Sequence, residues 1–203
     1  MTRKVPHPAE RVLTHAQRER RRSVLSAARA LATKGGYAAV TISAVAARAG
    51  VSRSTLYHYF DSKGHLLAEL TLSEASELNA NFEASPPQGV CPEERIAGVM
   101  ERIVDWALQK PSLFDSLVTS WTSKDAAAPG ARHSFDTTML NQLTDAFGEA
   151  GLANAPEIAR LLEHVLFSCL VRLNRGLTTR DQAVSDLRLA AKLLLGSTVG
   201  VDD

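Results

Sequence analysis

The 203 residues are 45% hydrophobic and 22% charged, which supports a packed core and excludes a disordered polyelectrolyte. No apolar run reaches the roughly 18 residues a bilayer span needs, so no membrane partner is expected. The formal net charge of +1 hides an asymmetry: residues 1–65 carry 12 Lys/Arg against three acidic residues, a balance of +9, whereas residues 66–203 carry 11 against 19, a balance of −8.

In chain order, the first seventeen residues are polar and proline-containing, with no hydrophobic signal core, so the chain is expected to stay in the cytoplasm. Helix signals then run almost to the end, and strand alternation is nearly absent. Thr14 and Gln17 stand in capping-box order before a stripe of Val24, Ala28 and Leu31, and Gly35-Gly36 should end that helix. Thr41 caps a short amphipathic helix carrying Ile42, Val45, Ala46 and Ala49, which Gly50 stops. Ser52 caps a third helix with Leu56 and Phe60 inward, and Ser62 caps a fourth with Leu66, Leu67 and Leu70 inward. A Pro-rich loop at 84–89 follows. Pro92, with Glu93 and Glu94 behind it, opens the next helix, and Pro111 opens another that fades near Ser123. After a loop at 125–130 come a helix from about Ala131, one from an Asn154/Glu157 cap pair to Gly176, and one from a Thr179/Gln182 cap to Gly196. The expectation is an all-α fold of about nine helices, divided into a basic N-terminal extension (1–17), a small N-terminal unit (18–66) and a larger C-terminal unit (67–203).

The segment TISAVAARAG-VS-RSTLYHYF is a helix, a tight glycine-containing turn and a second short helix, which is the layout of a helix-turn-helix. With Leu56 and Phe60 inward, Arg53, Ser54, Tyr57 and His58 fall on the outer side. There an arginine can fork onto a guanine edge, and hydroxyls can reach base or phosphate. Tyr57 and Tyr59 fit equally a half-buried packing role. Lys63 lies in the first turn of its helix, where a cation is unfavourable unless an anion sits there. Arg18, Arg20, Arg21 and Arg22 fit either phosphates or a solvated face, and Thr41 offers a hydroxyl and neighbouring amides.

Gly36-Tyr37, Thr41-Ile42, Ala46, Ala49-Gly50-Val51-Ser52, Thr55-Leu56-Tyr57, Tyr59-Phe60, Ser62-Lys63 and Leu66-Leu67 together resemble the DNA-binding domain of the TetR family, over about a quarter of the chain. By position, the resemblance implies base contacts from Ser43, Arg53 and Tyr57, with Ser43 the shortest reach. It implies phosphate contacts from Thr41, Thr55, Tyr59 and Lys63; Ser52, Ser54 and His58 complete the expected surface. It also implies a homodimer on operator DNA and a small-molecule effector. Arg3, Lys4 and Arg11 fit a minor-groove arm or a mobile tail.

In the C-terminal unit two helices are apolar on more than one stripe, and the expected dimer interface comprises Ile158, Leu162, Val165, Leu166, Cys169, Leu173, Val184, Leu187 and Leu194. A deeply buried pair in a monomer fits the same pattern. Met100, Ile103, Trp106, Phe114, Leu117, Trp121, Met139, Leu143, Phe147 and Phe167 fit a filled core or, by the resemblance, a cavity for a hydrophobic ligand. Several stretches, including QKPSLFDSLVTSW and RGLTTRDQAVSDLRLAAKLLLG, are similar to actinobacterial repressors of sterol catabolism, which implies a sterol-like, lipid or acyl-CoA effector. Six histidines show no metal-ligand spacing, Cys91 and Cys169 stand alone, and no phosphate-cradling glycine loop or nucleophile elbow is present. No metal, cofactor or catalysis is expected. The rival reading is a ligand-independent DNA-binding protein of the same fold.

Overall fold

The computed structural model describes residues 13–122, 137, 140, 141, 143–147 and 154–196. The arm at residues 1–12, the loop at 125–130 and Met139 lie outside the described residues. Among the described residues there is no strand. The helices are α1 (His15–Ala39), α2 (Ile42–Ala49), α3 (Arg53–Tyr59), α4 (Lys63–Ala84), α5 (Pro92–Gln109), α6 (Pro111–Thr122), α7 (described over residues 143–147), α8 (Ala155–Asn174) and α9 (Arg180–Gly196).

Local chemistry sets the boundaries in the N-terminal unit. Thr14 and Gln17 exchange both capping-box hydrogen bonds. Thr41, Ser52 and Ser62 each accept from the backbone N–H three residues on, at 3.2, 3.0 and 3.0 Å. Gly50 ends α2 at φ 67°, a left-handed conformation that costs glycine little. Helical backbone breaks at Gly35-Gly36 as expected, then resumes for one more turn to Ala39. At the start of α8, Asn154 occupies the cap position but makes no side-chain cap bond; the proline in the first turn leaves fewer amides to satisfy. Thr179 does accept from the Gln182 amide, at 3.2 Å.

Two large apolar clusters hold the chain together. One joins α1, α2, α3 and the start of α4 through Val24, Ala28, Val45, Leu56, Phe60 and Leu66, and extends into α6 through Leu113 and Leu117. Each fully buried leucine contributes on the order of 2 kcal/mol by removal from water. The other joins α4, α5, α7, α8 and α9. The expected boundary between residues 66 and 67 falls inside α4, which runs unbroken from the small unit into the large one.

Three expected cavity residues belong instead to this second cluster: Met100, Leu143 and Phe147 are buried among other side chains. The dimer expectation also needs correction. Ile158, Leu162, Leu166, Cys169, Val184 and Leu187 are buried within the protomer, and Val165, Leu173 and Leu194 are half-buried. Both helices carry two apolar stripes, and the stripe chosen from sequence is the one that packs inward. The outward apolar residues are Leu161, Leu189 and Leu193. Leu189 and Leu193 are one helical turn apart, with 55% and 61% exposure. Leu161 and Leu193 each stand 13 residues from the turn joining α8 to α9, so they lie at one level of the helix pair.

Candidate nucleic-acid interface and cavity

The outer surface of α2 and α3 is built from side chains that the core does not use. Ser43, Ser52, Arg53, Ser54 and His58 are exposed, and Tyr57 keeps 45% of its surface. Thr41 is exposed, and Thr55 is half-buried. The hydroxyls of Ser54 and Thr55 each lie 2.8 Å from Ser52 Oγ, forming a small hydroxyl cluster at the start of α3. The first turns of α2, α3 and α4 contain no acidic residue to offset their amide ends. Tyr59 departs from this pattern. It is 4% exposed and belongs to the apolar cluster beneath α3, so the packing role shows and little surface remains for a phosphate contact.

Lys63 occupies the unfavourable first turn of α4, and the structure shows what holds it there. Its ammonium donates to the Tyr37 carbonyl at 2.7 Å and sits 3.4 Å from the centre of the Tyr37 ring. Partial burial pushes its pKa down. An ammonium has three donors, so this contact leaves donors for a second acceptor. Arg21 is committed elsewhere: it pairs with Glu69 and lies over the Phe60 ring. Glu69 also faces the buried His65, whose Nδ1 accepts from the Asp61 amide at 3.1 Å. The hydrogen bond from His65 and the charge of Arg21 hold the Glu69 carboxyl below its ordinary range against the cost of burial.

Between α4, α5, α6 and α8 lies a cavity of about 80 Å³ that opens to solvent. Ile103, Trp106, Phe114, Leu117, Trp121 and Phe167 line it. Sequence reasoning missed the α4 wall, Thr71, Glu74, Ala75 and Leu78, as well as Val118 and Leu170. The helical period of the α4 positions was the available signal. Leu117 belongs both to this lining and to the cluster beneath the reading helix, and Trp106 packs against that same cluster.

Among the described residues, Glu74 is the one carboxylate in this lining, with only 2% exposure. Its Oε1 lies 2.6 Å from Arg29 Nε, and its Oε2 accepts from Lys110 at 3.3 Å. Arg29, on α1, also forks onto Glu77. Burial lowers the Arg29 pKa, but the hydrogen bond to Glu77 and the two carboxylate charges outweigh it and raise the value. Among the described residues no group of metal-ligating side chains occurs, and no helix is long and apolar enough to cross a membrane.

Comparison with known proteins agrees with both halves. Residues 24–70 match the model of bacterial regulatory proteins of the tetR family, and residues 89–194 match that of the tetracyclin repressor-like C-terminal domain. The chain is 33% identical to the HTH-type transcriptional repressor KstR of Mycobacterium tuberculosis, covering 90% of this chain and 84% of that protein. Identity to the protein of the same name from Rhodococcus jostii is 32%, covering 90% and 86%. A TetR transcriptional regulator from Rhodococcus sp. RHA1 superposes with a TM-score of 0.80 at 30% identity, covering 93% of this chain and all of that one. The Thermus thermophilus repressor FadR, crystallised with lauroyl-CoA, shares the fold with a TM-score of 0.72 at 19% identity, covering 90% and 97%. With its reading helix, its hydroxyl-capped basic surface and the match along most of its length, this chain belongs to the TetR family of bacterial transcriptional regulators.

Proposed function

We propose that the protein is a repressor that binds palindromic operator DNA as a homodimer and leaves it when a hydrophobic effector fills the cavity. Arg53 and Tyr57 read base edges in the major groove, with Ser43 beside them. Thr41, Thr55 and Lys63 take phosphates, while Ser52, Ser54 and His58 flank the strand contacts. Leu161, Leu189 and Leu193 form the apolar centre of the α8–α9 face on which two copies meet, with the half-buried Val165 and Leu194 beside them.

The observation that carries ligand control is the shared position of Leu117, which lines the cavity and also packs beneath the reading unit. A ligand that reshapes the cavity therefore acts on the support of α1 to α3. Such a ligand shifts DNA affinity only by as much as its own affinity differs between the two arrangements. The lining is almost wholly apolar, with two tryptophans and two phenylalanines, and favours an apolar effector body. The similarity to sterol-catabolism repressors and the acyl-CoA held by the FadR relatives direct the choice to sterol-like, lipid or acyl-CoA compounds.

The test is a gel-shift titration with DNA from the upstream region of the protein's own gene, repeated with a panel of sterols, fatty acids and acyl-CoA thioesters. The proposal expects a saturable complex that at least one compound class dissociates. A complex unaffected by the whole panel favours the ligand-independent alternative.

A further inference from the structure

The cavity has one polar feature without an assigned purpose. Glu74 forms part of its wall, and its carboxylate is closed to solvent. A carboxylate accepts about four hydrogen bonds when fully satisfied. Here Oε2 takes one from Lys110, and Oε1 takes none. The Arg29 Nε at 2.6 Å supplies opposite charge to Oε1 but not a properly directed N–H. A charged acceptor thus lacks a directed donor immediately behind a largely apolar wall. The ion pair with Arg29 offsets the buried charge, and a directed donor brought to Oε1 adds the hydrogen bond that this pair does not make.

We infer that Glu74 selects the effector, and that the end of the effector meeting the α4 wall carries a neutral hydrogen-bond donor, a hydroxyl or an amide N–H. This rests on the reading of the cavity as the effector site. A carboxylate at that end is disfavoured, because a second buried negative charge beside Glu74 repels it. An ether or ester oxygen is disfavoured because it only accepts and leaves Glu74 Oε1 unmet. The same carboxylate faces Arg29 of α1. A donor placed on Glu74 shares the charge that holds Arg29, so the recognised group also touches the link between α4 and the helix that carries the reading unit.

Trp106 and Trp121 are the only tryptophans in the chain, and both line the cavity, so intrinsic fluorescence reports its occupancy. The full-length protein is titrated with 1-dodecanol, dodecyl methyl ether and dodecanoate, which share an apolar body and differ at the head. The alcohol is expected to bind about tenfold tighter than the ether, the scale of one hydrogen bond to a charged group, and dodecanoate weaker than the alcohol. In Glu74→Leu the alcohol and the ether should bind alike. Glu74→Gln, which keeps the shape and loses the charge, should fall between, and it serves where the leucine variant does not fold. Equal affinity for alcohol and ether in the unmodified protein overturns the inference while leaving the cavity reading intact. An alcohol preference that persists in Glu74→Gln and Glu74→Leu overturns it as well. If none of the three probes changes tryptophan emission, the effector-site reading itself fails.

Discussion

Lys63 donates to the carbonyl of Tyr37 at 2.7 Å and stacks on the same residue's ring, so the first turn of α4 is tied to the last turn of α1 by one side chain. The carbonyl end of one helix offsets a cation placed at the amide end of another. This tie positions an ammonium beside the reading unit with donors to spare.

If Lys63 takes a phosphate, Lys63→Ala should weaken specific and non-specific DNA alike. The slope of log affinity against log salt should fall by about 0.9, one phosphate's worth of released counterion. Fluorescence anisotropy over a salt series reads this. An unchanged slope removes Lys63 from the phosphate contacts. Thermal unfolding of the variant runs beside it, since the Tyr37 tie is lost too.

Arg53 stands exposed at the first position of α3 and, among the described residues, has no ion-pair or hydrogen-bond partner to give up in reaching a base. Arg53→Ala should therefore flatten base preference at one position of each half-site by about 1–3 kcal/mol and leave the fold's stability almost unchanged. Binding to a single-base variant series checks this. Uniform weakening across the series would assign Arg53 to the backbone instead.

The outward leucines of α9 give a third expectation. Leu189→Arg combined with Leu193→Arg should shift the protein to monomer in sedimentation equilibrium and cut affinity for a two-half-site operator by more than tenfold. The exposed positions make the substitution harmless to the protomer's own core. A dimer that persists with the double variant places the interface elsewhere.

Acid stability follows from two carboxyls. Glu69 is held below its ordinary value by the hydrogen bond from His65 and by Arg21, and Glu101 by Arg188 and Arg180. A carboxyl with a depressed folded-state pKa contributes stability that is fully present above its ordinary value near 4.5 and lost as pH falls through the folded value. Urea midpoints should thus drop between about pH 5 and pH 3. Glu69→Gln should be less stable at neutral pH and show a shallower acid decline. An acid decline as steep as that of the unmodified protein would show that Glu69 carries none of it.

The legible parts of this chain are the local ones. Thr14, Thr41, Ser52 and Ser62 act on amides three residues away, so sequence spacing locates their helix starts directly. The bulky apolar residues of α5, α6 and α8 fit a filled core as well as a cavity, and only the family resemblance favours the cavity. Where two stripes of one helix are both apolar, as with Leu161 against Leu162, composition does not distinguish a protomer core from a partner surface. Glu74 was equally invisible: Lys110 lies 36 residues away and Arg29 lies on another helix, so only the folded chain brings them together. Tyr59 matched a family position by letter, yet its burial depends on how α3 seats over Val45 and Phe60.

The central claim is sequence-specific recognition of DNA by a symmetric pair of reading helices. Selection of bound fragments from a random DNA pool by the full-length protein, followed by sequencing, tests it most directly. The account predicts a palindrome whose half-sites are spaced so that two copies of α3 enter successive major grooves. Bound fragments that share no sequence would contradict it, leaving the basic half as a binder of DNA backbone alone.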